Sequence, residues 1–194
     1  SRETLLTPLQ TVSGIVEKRH TLPILSNVLI EKKGSMLTMV ATDIEIQITT
    51  GVSLEGDAEG SVTVGARKLQ DILRSLPEES TVSLDMDDKR LVVKAGKSRF
   101  SLQTLPAEDF PQMNLNPANQ VSFTVTQKSF KHLLGQTQYA MAAQDVRYYL
   151  NGMLLQVEGN ALRSVATDGH RLAFAQMDIA ESLERQEIIL PRKS

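Results

Sequence analysis

The feature that most constrains the fold of this chain is an internal repeat with an offset of 125 residues. Without gaps, residues 25–43 align with residues 150–168 at 8 identical positions out of 19, ending in Val-Ala-Thr-Asp in both copies. A repeat this long indicates duplication of a whole domain, because solenoid repeats have periods of about 20–50 residues. We therefore expect two domains, residues 1–120 and 121–194, with a proline-containing linker over residues 106–120 closing the first.

The same offset relates both ends of the chain to the repeat. The second copy opens with residues 121–125, a Val-Ser-Phe-Thr-Val run whose alternation is typical of a strand. Its counterpart in the first copy would precede residue 1, and the first copy continues well beyond the point that matches residue 194. We thus expect a fragment whose first domain lacks its first strand and whose second domain is truncated.

Hydrophobic periodicity predicts an α+β fold in which helices alternate with groups of strands. Apolar residues at helical spacing predict helices over residues 3–17, 66–76 and 127–142. Alternating or short apolar runs predict strands over residues 25–31, 36–42, 44–48, 82–86, 90–95 and 99–105.

Composition excludes several classes of function. The 194 residues include no Cys, which excludes disulfides, thiolate catalysis and cysteine-ligated metal sites. The formal net charge is −2, so any anion-binding surface must be a local patch. No apolar run reaches the roughly 20 residues that span a membrane, and none of the three His lies in a metal-binding motif. We expect a cytoplasmic protein with no metal, no cofactor and no membrane partner.

The segment from Thr167 to Arg171 could carry chemistry, since Asp168 beside His170 suggests a general base. The first copy has Thr-Asp at the matching place but lacks the Gly-His-Arg that follows. The shared pair suits a turn after a strand, and the added donors suit a binding rim at the end of a sheet. A small hydrolase using Asp168 and His170 remains the weaker alternative, because no nucleophile lies at a recognisable spacing.

Candidate anion contacts share a cationic or hydrogen-bonding side chain beside a helix end or in a loop. They are residues 18–20, Arg67, Gln144, Arg147, Tyr148 and Tyr149. Residues 18–20 also suit the C-terminal dipole of the first helix, whereas a cation at the start of the second helix is disfavoured there. Arg67 therefore indicates an anionic partner. The two tyrosines could contact a phosphate backbone, while burial of Tyr149 in the core is the alternative.

Five segments carry a family resemblance. They are residues 21–27 (Thr-Leu-Pro-Ile-Leu-Ser-Asn), 99–102 (Arg-Phe-Ser-Leu), 144–153 (Gln-Asp-Val-Arg-Tyr-Tyr-Leu-Asn-Gly-Met), 166–172 (Ala-Thr-Asp-Gly-His-Arg-Leu) and 191–193 (Pro-Arg-Lys). Through them the chain resembles, essentially end to end, the β sliding clamp subunit family of bacterial DNA polymerase III. The resemblance implies duplicated clamp domains, with helices lining an inner face and antiparallel sheets outside, in a homodimeric ring around duplex DNA. It implies a non-enzymatic processivity factor, with a protein-interaction scaffold that does not bind DNA as the other alternative.

The resemblance also assigns roles to individual positions. Loose, sequence-independent DNA contacts fall on Arg19, Arg67, Gln144, Tyr148 and Tyr149. One wall of a pocket for short peptide motifs of DNA polymerase subunits, the clamp loader and repair proteins falls on Leu150, Thr167, Gly169, His170, Arg171 and Leu172. The first-domain strand that pairs with the partner subunit contains Phe100 and Leu102, and we expect it to be an exposed edge strand.

Overall fold

The computed structural model describes residues 1–16, 22–56, 58–87, 89–113 and 121–194. The chain divides into two compact units, Ser1–Met113 and Asn114–Ser194, and each is considered by itself. Both units combine helices with antiparallel strands. The α+β class predicted from periodicity is confirmed.

The first unit is a seven-stranded antiparallel sheet with two helices. The strands are β1 (Asn27–Lys33), β2 (Met36–Thr42), β3 (Gln47–Ser53), β4 (Gly60–Gly65), β5 (Ser83–Asp87), β6 (Arg90–Ala95) and β7 (Ser98–Leu105), and the helices are α1 (Arg2–Ser13) and α2 (Ala66–Ser75). Their order in the sheet is β3-β2-β1-β4-β7-β6-β5. Strands β4 and β7 pair over only two positions, Thr63 with Leu105 and Val64 with Thr104.

The core of the first unit lies between the two helices and the sheet. Helix α1 buries Leu9 and Val12, and helix α2 buries Leu69 and Leu73, in one cluster with buried side chains from five of the strands. The buried guanidinium of Arg2 joins the helices, because its Nε donates to the carbonyl oxygen of Leu73 at 2.7 Å. The apolar stripes predicted at helical spacing are therefore the surfaces that pack on the sheet.

The start of the predicted linker packs on the first unit. Phe110 is only 5% exposed and belongs to a small cluster with Leu29 and Val40. The backbone N–H of Met113 donates to the side-chain oxygen of Gln47 at 2.9 Å. Residues 106–113 are thus part of the first unit, and residues 114–120 of the predicted linker lie outside the described residues.

In its described residues, 121–194, the second unit contains one α-helix and two long strands. Helix α3 spans Gln127–Gly135, and strands β8 (Gly152–Thr167) and β9 (Leu172–Pro191) pair antiparallel. The register shifts on both sides of Gly159, which has a φ of 58°. Gly34, its partner in the repeat, has a φ of 54° in the turn between β1 and β2. The repeat therefore preserves a left-handed backbone position that favours glycine.

Two predicted elements of the second unit differ from the structure. Residues 121–125 are irregular rather than a strand: the N–H of Thr124 donates to the Glu181 carboxylate at 3.1 Å, although Phe123 and Val125 still pack on the core. The helix predicted over residues 127–142 ends at Gly135 and is followed by a short 3-10 turn, Gln138–Ala140. This early end brings the buried hydroxyl of Thr137 to that of Ser164, at 2.6 Å.

Predicted bounds in the first unit also differ: β1 begins at Asn27, after the 3-10 turn Pro23–Ser26, rather than at residue 25. Helix α1 ends at Ser13, whose hydroxyl donates to the carbonyl oxygen of Leu9 at 2.6 Å, rather than continuing to residue 17. Strand β3 begins at Gln47 rather than at residue 44, because the residues before it form a turn. The alternation of Ile44 and Ile46 with polar residues imitates a strand, but hydrogen bonds to the preceding side chains decide the local structure.

Candidate functional site

The Thr-Asp pair shared by the two copies builds the same turn in both. In the second unit the hydroxyl of Thr167 donates to the carbonyl oxygen of Arg171 at 2.7 Å and accepts from the N–H of Gly169 at 3.1 Å. Oδ1 of Asp168 accepts from the N–H groups of His170 and Arg171, at 2.9 and 3.0 Å. These bonds close the connection from β8 to β9.

The first unit repeats these bonds one by one. The hydroxyl of Thr42 donates to the carbonyl oxygen of Ile46 at 2.8 Å and accepts from the N–H of Ile44 at 3.0 Å. Oδ1 of Asp43 accepts from the N–H groups of Glu45 and Ile46, at 3.1 and 2.8 Å. The structural interpretation of the shared pair is confirmed, so what distinguishes the second turn is its Gly-His-Arg.

The Asp168 carboxylate is occupied by this turn. Donation from the N–H groups of His170 and Arg171, together with the Arg171 guanidinium, lowers the pKa of Asp168 below its ordinary value. Oδ2 accepts from Nε of Arg171 at 3.0 Å, and Nη2 of Arg171 donates to the carbonyl oxygen of Tyr139 at 2.6 Å. Cζ of Arg171 also lies 5.5 Å from the centre of the Tyr139 ring. Both carboxylate oxygens are engaged, which favours a turn-building role over a catalytic pair with the exposed His170.

A second loop, residues 142–151, is held closed by polar contacts at its base. The N–H of Ala142 donates to the carbonyl oxygen of Leu150 at 2.9 Å. Asp145 and Asn151 exchange two bonds: the N–H of Asp145 donates to Oδ1 of Asn151 at 2.8 Å, and Nδ2 of Asn151 donates to the carbonyl oxygen of Asp145 at 2.9 Å. The loop is therefore fixed where it enters strand β8.

The outer part of this loop presents apolar and aromatic side chains to solvent. Val146 is 99% exposed, Tyr148 80% and Tyr149 52%, and the two rings meet edge to face with centres 6.0 Å apart. The alternative that Tyr149 belongs to the core is wrong. Gln144 adopts a φ of 64°, unusual for a residue other than glycine. The predicted DNA contacts Gln144, Tyr148 and Tyr149 thus share one rigid, accessible loop.

The loop and the turn contact each other through Arg147. The guanidinium of Arg147 is bound by Asp145, with Nε to Oδ1 at 3.0 Å and Nη2 to Oδ2 at 2.9 Å. Its Nη2 lies 3.2 Å from the position that a Cβ on Gly169 would take. Sequence reasoning considered Arg147 as a phosphate contact and missed its pairing. The Asp-x-Arg spacing beside a turn glycine is the pattern that could have indicated it.

Five of the six predicted pocket residues lie together where β8 ends and β9 begins. Thr167, Gly169, His170 and Arg171 form the turn, and Leu172 opens β9 with 64% of its surface exposed. Leu150 is buried and lies in the 3-10 turn Tyr148–Asn151, directly before β8. The structure therefore places an exposed leucine next to a turn rich in donors.

The basic positions have different surroundings. Arg67 is exposed on the first turn of α2, where its Nη2 lies 3.4 Å from the carbonyl oxygen of Val16, and it lines a cavity of about 400 Å³ with Asn27 and Ser101. Arg19 lies outside the described residues. Arg192, the repeat counterpart of Arg67, donates to the carbonyl oxygens of Met141 and Ala142 at 3.2 and 3.3 Å, a structural use.

The strand that carries Phe100 and Leu102 is interior only at its end, where Thr104 and Leu105 pair with β4. Strand β7 lies between β4 and β6, and the two edges of the sheet are β3 and β5. Leu102 is buried and Phe100 is half-buried against the core. The expectation of an exposed apolar edge is wrong for these side chains, because both point into the core. Within the described part of the chain, the backbone of residues 98–103 pairs with β6 alone, since β4 reaches no further than Thr104.

The described part of the chain contains neither a metal-ligand cluster nor a helix that could cross a membrane. No group of His, Cys, Asp and Glu side chains there could hold a metal ion. No helix there is both long enough and apolar enough to cross a membrane.

Comparison with protein families gives two adjacent matches. The model described as the N-terminal domain of the DNA polymerase III beta subunit matches residues 1–114, and that of its central domain matches residues 124–194. Among curated proteins, the beta sliding clamp of Pseudomonas aeruginosa is 51% identical over 194 residues, and that of Escherichia coli is 49% identical over 193 residues. These matches cover 99% of this chain but 53% and 52% of the relatives. The chain thus spans about half the length of the curated relatives it matches.

Solved structures agree with the sequence matches. The crystal structure of the DNA polymerase III subunit beta from Pseudomonas aeruginosa has a TM-score of 0.91 and 51% identity, covering 99% of this chain and 52% of its own. A sliding clamp from the same organism bound to griselimycin gives a TM-score of 0.90 at 50% identity, with the same coverage. Caulobacter crescentus pol III beta gives 0.91 at 41% identity, covering 99% and 53%.

Proposed function

Because the chain belongs to the DNA polymerase III beta subunit family, we propose that it is part of a sliding clamp, the processivity factor of a DNA polymerase. The observation that carries the proposal is the match over 99% of the chain to beta sliding clamps at about half identity. In this function two subunits encircle duplex DNA and hold the polymerase on it. Tethering raises the local concentration of the polymerase on its template without making or breaking a bond, so the protein is not an enzyme.

Contact with DNA falls to the exposed loop and to Arg67, together with Arg19. Tyr148, Tyr149 and the amide of Gln144 are accessible on a loop whose base is fixed. Such side chains can touch sugar and phosphate without reading bases, which is what movement along DNA requires. Arg67 adds a positive charge that is attracted to the phosphates at low salt.

Peptide binding falls to the turn and the two leucines beside it. Leu172 offers an exposed apolar surface, and Thr167, Gly169, His170 and Arg171 surround it with backbone and side-chain polar groups. Short motifs of polymerase subunits, the clamp loader and repair proteins would dock there. An apolar anchor with a polar rim is a common arrangement for peptide recognition.

Assembly completes the proposal. The unpaired backbone side of β7 near Phe100 and Leu102 would accept a strand of the partner subunit, with the two side chains supporting it from the core. Clamp domains over residues 1–120 and 121–194 would supply part of the ring, and the DNA partner places the protein in the cytoplasm.

The test is binding of this chain to a fluorescent duplex of about 30 base pairs, measured by anisotropy at 50 and 200 mM salt. Arg67→Ala and Tyr148→Ala should each weaken binding, and Arg67→Ala should also reduce the salt dependence. Arg185→Ala is the matched control, because Arg185 is equally cationic but pairs with Glu187 at 3.1 Å on β9, outside the proposed DNA contacts. Equal affinities for the wild type, Arg67→Ala and Arg185→Ala would contradict a DNA-binding role and support a scaffold instead.

A further inference from the structure

The turn of the second unit does not need glycine for its backbone conformation alone. Gly169 has a φ of 88°, and Ile44, at the matching place of the first unit, has a φ of 81° in a turn with the same hydrogen bonds. A side chain at this position is therefore compatible with the turn, although it is strained. What differs at Gly169 is the neighbour, because the Arg147 guanidinium lies against the position that a Cβ would take, with Nη2 at 3.2 Å, Nη1 at 3.6 Å and Cζ at 3.8 Å from it.

Asp145 fixes the orientation of that guanidinium. Asp145 binds Nε and Nη2 of Arg147 side by side, and its Oδ1 also accepts from the backbone N–H of Arg147 at 2.8 Å. Asp145 is in turn fixed to Asn151 by two hydrogen bonds at the start of β8. A continuous row of contacts thus runs from β8 through Asp145 and Arg147 to the α-carbon of Gly169.

The repeat provides an internal comparison. Arg147 aligns with Leu22 and Gly169 with Ile44, so the first unit has two apolar side chains, each about half exposed, at the places of the guanidinium and the glycine. The turn itself is common to both units. The contact between a guanidinium and a glycine is specific to the unit whose turn carries Gly-His-Arg.

We propose that Asp145 is a positioning residue of the peptide-binding wall. It holds Arg147 against Gly169 and so helps to fix residues 168–171, which the contacts of Arg171 with Tyr139 also restrain. Asp145 acts on the wall through Arg147. The role of the wall in peptide binding rests on the proposed function, whereas the mechanical link from Asp145 to Gly169 does not.

The link is tested by nitrogen-15 NMR of this chain. Asp145→Asn keeps an oxygen for the backbone N–H of Arg147 but removes the charge that holds the guanidinium. The amide resonances of Gly169 and His170 should shift in this variant. Arg147→Lys should shift them as well, because an ammonium keeps the charge but cannot lie flat. The matched control is Asp85→Asn, which removes the exposed 2.9 Å ion pair with Lys94 in the first unit and should leave both resonances in place.

A second measurement separates the link from the proposed function. The probe is griselimycin, to which a related Pseudomonas aeruginosa sliding clamp is bound in a solved structure. Its affinity for this chain is measured by calorimetry. Asp145→Asn and Arg147→Lys should each weaken binding roughly fivefold, the order expected for losing one exposed, well-oriented ion pair, while Asp85→Asn should not. If the wild-type chain does not bind griselimycin, the peptide-wall function fails, and the link is then judged by the Gly169 resonance alone. Unchanged Gly169 and His170 resonances in both variants, or griselimycin affinity equal to that of the wild type in both, would overturn the proposal.

Discussion

A buried pair of hydroxyls in the second unit gives a stability prediction with a clear physical basis. Thr137 and Ser164 are both fully buried, and their side-chain oxygens lie 2.6 Å apart. The other polar neighbours of the Thr137 hydroxyl are weaker: the carbonyl oxygen of Leu134 at 3.4 Å and the sulfur of Met153 at 3.6 Å. Each hydroxyl therefore depends mainly on the other.

Ser164→Ala removes one hydroxyl and leaves the other without a good partner. A buried polar group left unsatisfied costs about 1–3 kcal/mol. Because the carbonyl oxygen of Leu134 offers a long substitute bond, we expect a loss of about 1.5 kcal/mol of unfolding free energy. Thr137→Val, which keeps the shape of the side chain, should cost a similar amount. The double variant has no unsatisfied hydroxyl and should be more stable than the sum of the two losses implies, by about 1 kcal/mol or more.

Urea unfolding followed by tyrosine fluorescence measures the stability of the second unit alone. The chain has no Trp, and all three tyrosines, Tyr139, Tyr148 and Tyr149, lie in that unit. Ser182→Ala is the matched control, since Ser182 is exposed on β9, and it should change stability by less than about 0.5 kcal/mol. Strictly additive losses in the double variant would refute the idea that the two hydroxyls satisfy each other.

Four further predictions concern single positions. Gly152→Ala should destabilise the second unit by about 1–3 kcal/mol, because its Cβ would lie 2.8 Å from the carbonyl oxygen of Leu190, and tyrosine fluorescence measures the loss. Phe110→Ala should cost the first unit about 3 kcal/mol and speed proteolysis within residues 106–113, as seen by mass spectrometry. Ile44→Gly should stabilise the first unit by up to about 1 kcal/mol in amide exchange, because it relieves a left-handed β-branched residue. Hydrogen bonds with Arg147 lower the pKa of Asp145 from 3.8 to about 2. The stability from that pair is therefore present above about pH 4 and is lost as the pH falls towards 2. In urea unfolding followed by tyrosine fluorescence, Asp145→Asn should be less stable than the wild type at pH 7 and approach its stability at about pH 2.

The elements that the sequence predicts well are those decided by apolar spacing. Helix α2 occupies residues 66–75 where residues 66–76 were predicted, and β2, β6 and β7 lie within a residue of their predicted bounds. In helix α2 the apolar side chains recur with the helical period, β7 alternates with the period of a strand, and β2 and β6 are short apolar runs that are largely buried. The family was likewise predictable, since residues 144–153 and 166–172 form specific patterns.

The predictions that failed depend on hydrogen bonds, which a pattern of apolar residues does not encode. Ile44 and Ile46 alternate like a strand, but the side chains of Thr42 and Asp43 bind the N–H groups that a strand would use. The position of β7 inside the sheet follows from pairing between distant strands, which periodicity leaves undetermined. The alternative that Tyr149 is buried failed for the same reason. The residue aligned with it in the first copy, Ile24, is apolar and suggests burial, but the loop closed by Asp145 and Asn151 holds the tyrosine outward.

Duplication separates the residues that build this fold from those that distinguish one copy. Thr-Asp occurs at residues 42–43 and 167–168, and it makes the same four hydrogen bonds in both, so its role is to close a turn. Gly169 and Arg147 replace apolar residues of the other copy, and the Arg147 guanidinium lies 3.2 Å from the position that a Cβ on Gly169 would take. Since the turn forms with either set, the fold does not require the replacement. A substitution that the fold does not require, made at two positions in contact, is best explained by the site they share, and this is why the Asp145–Arg147–Gly169 row is assigned to the peptide-binding wall rather than to stability.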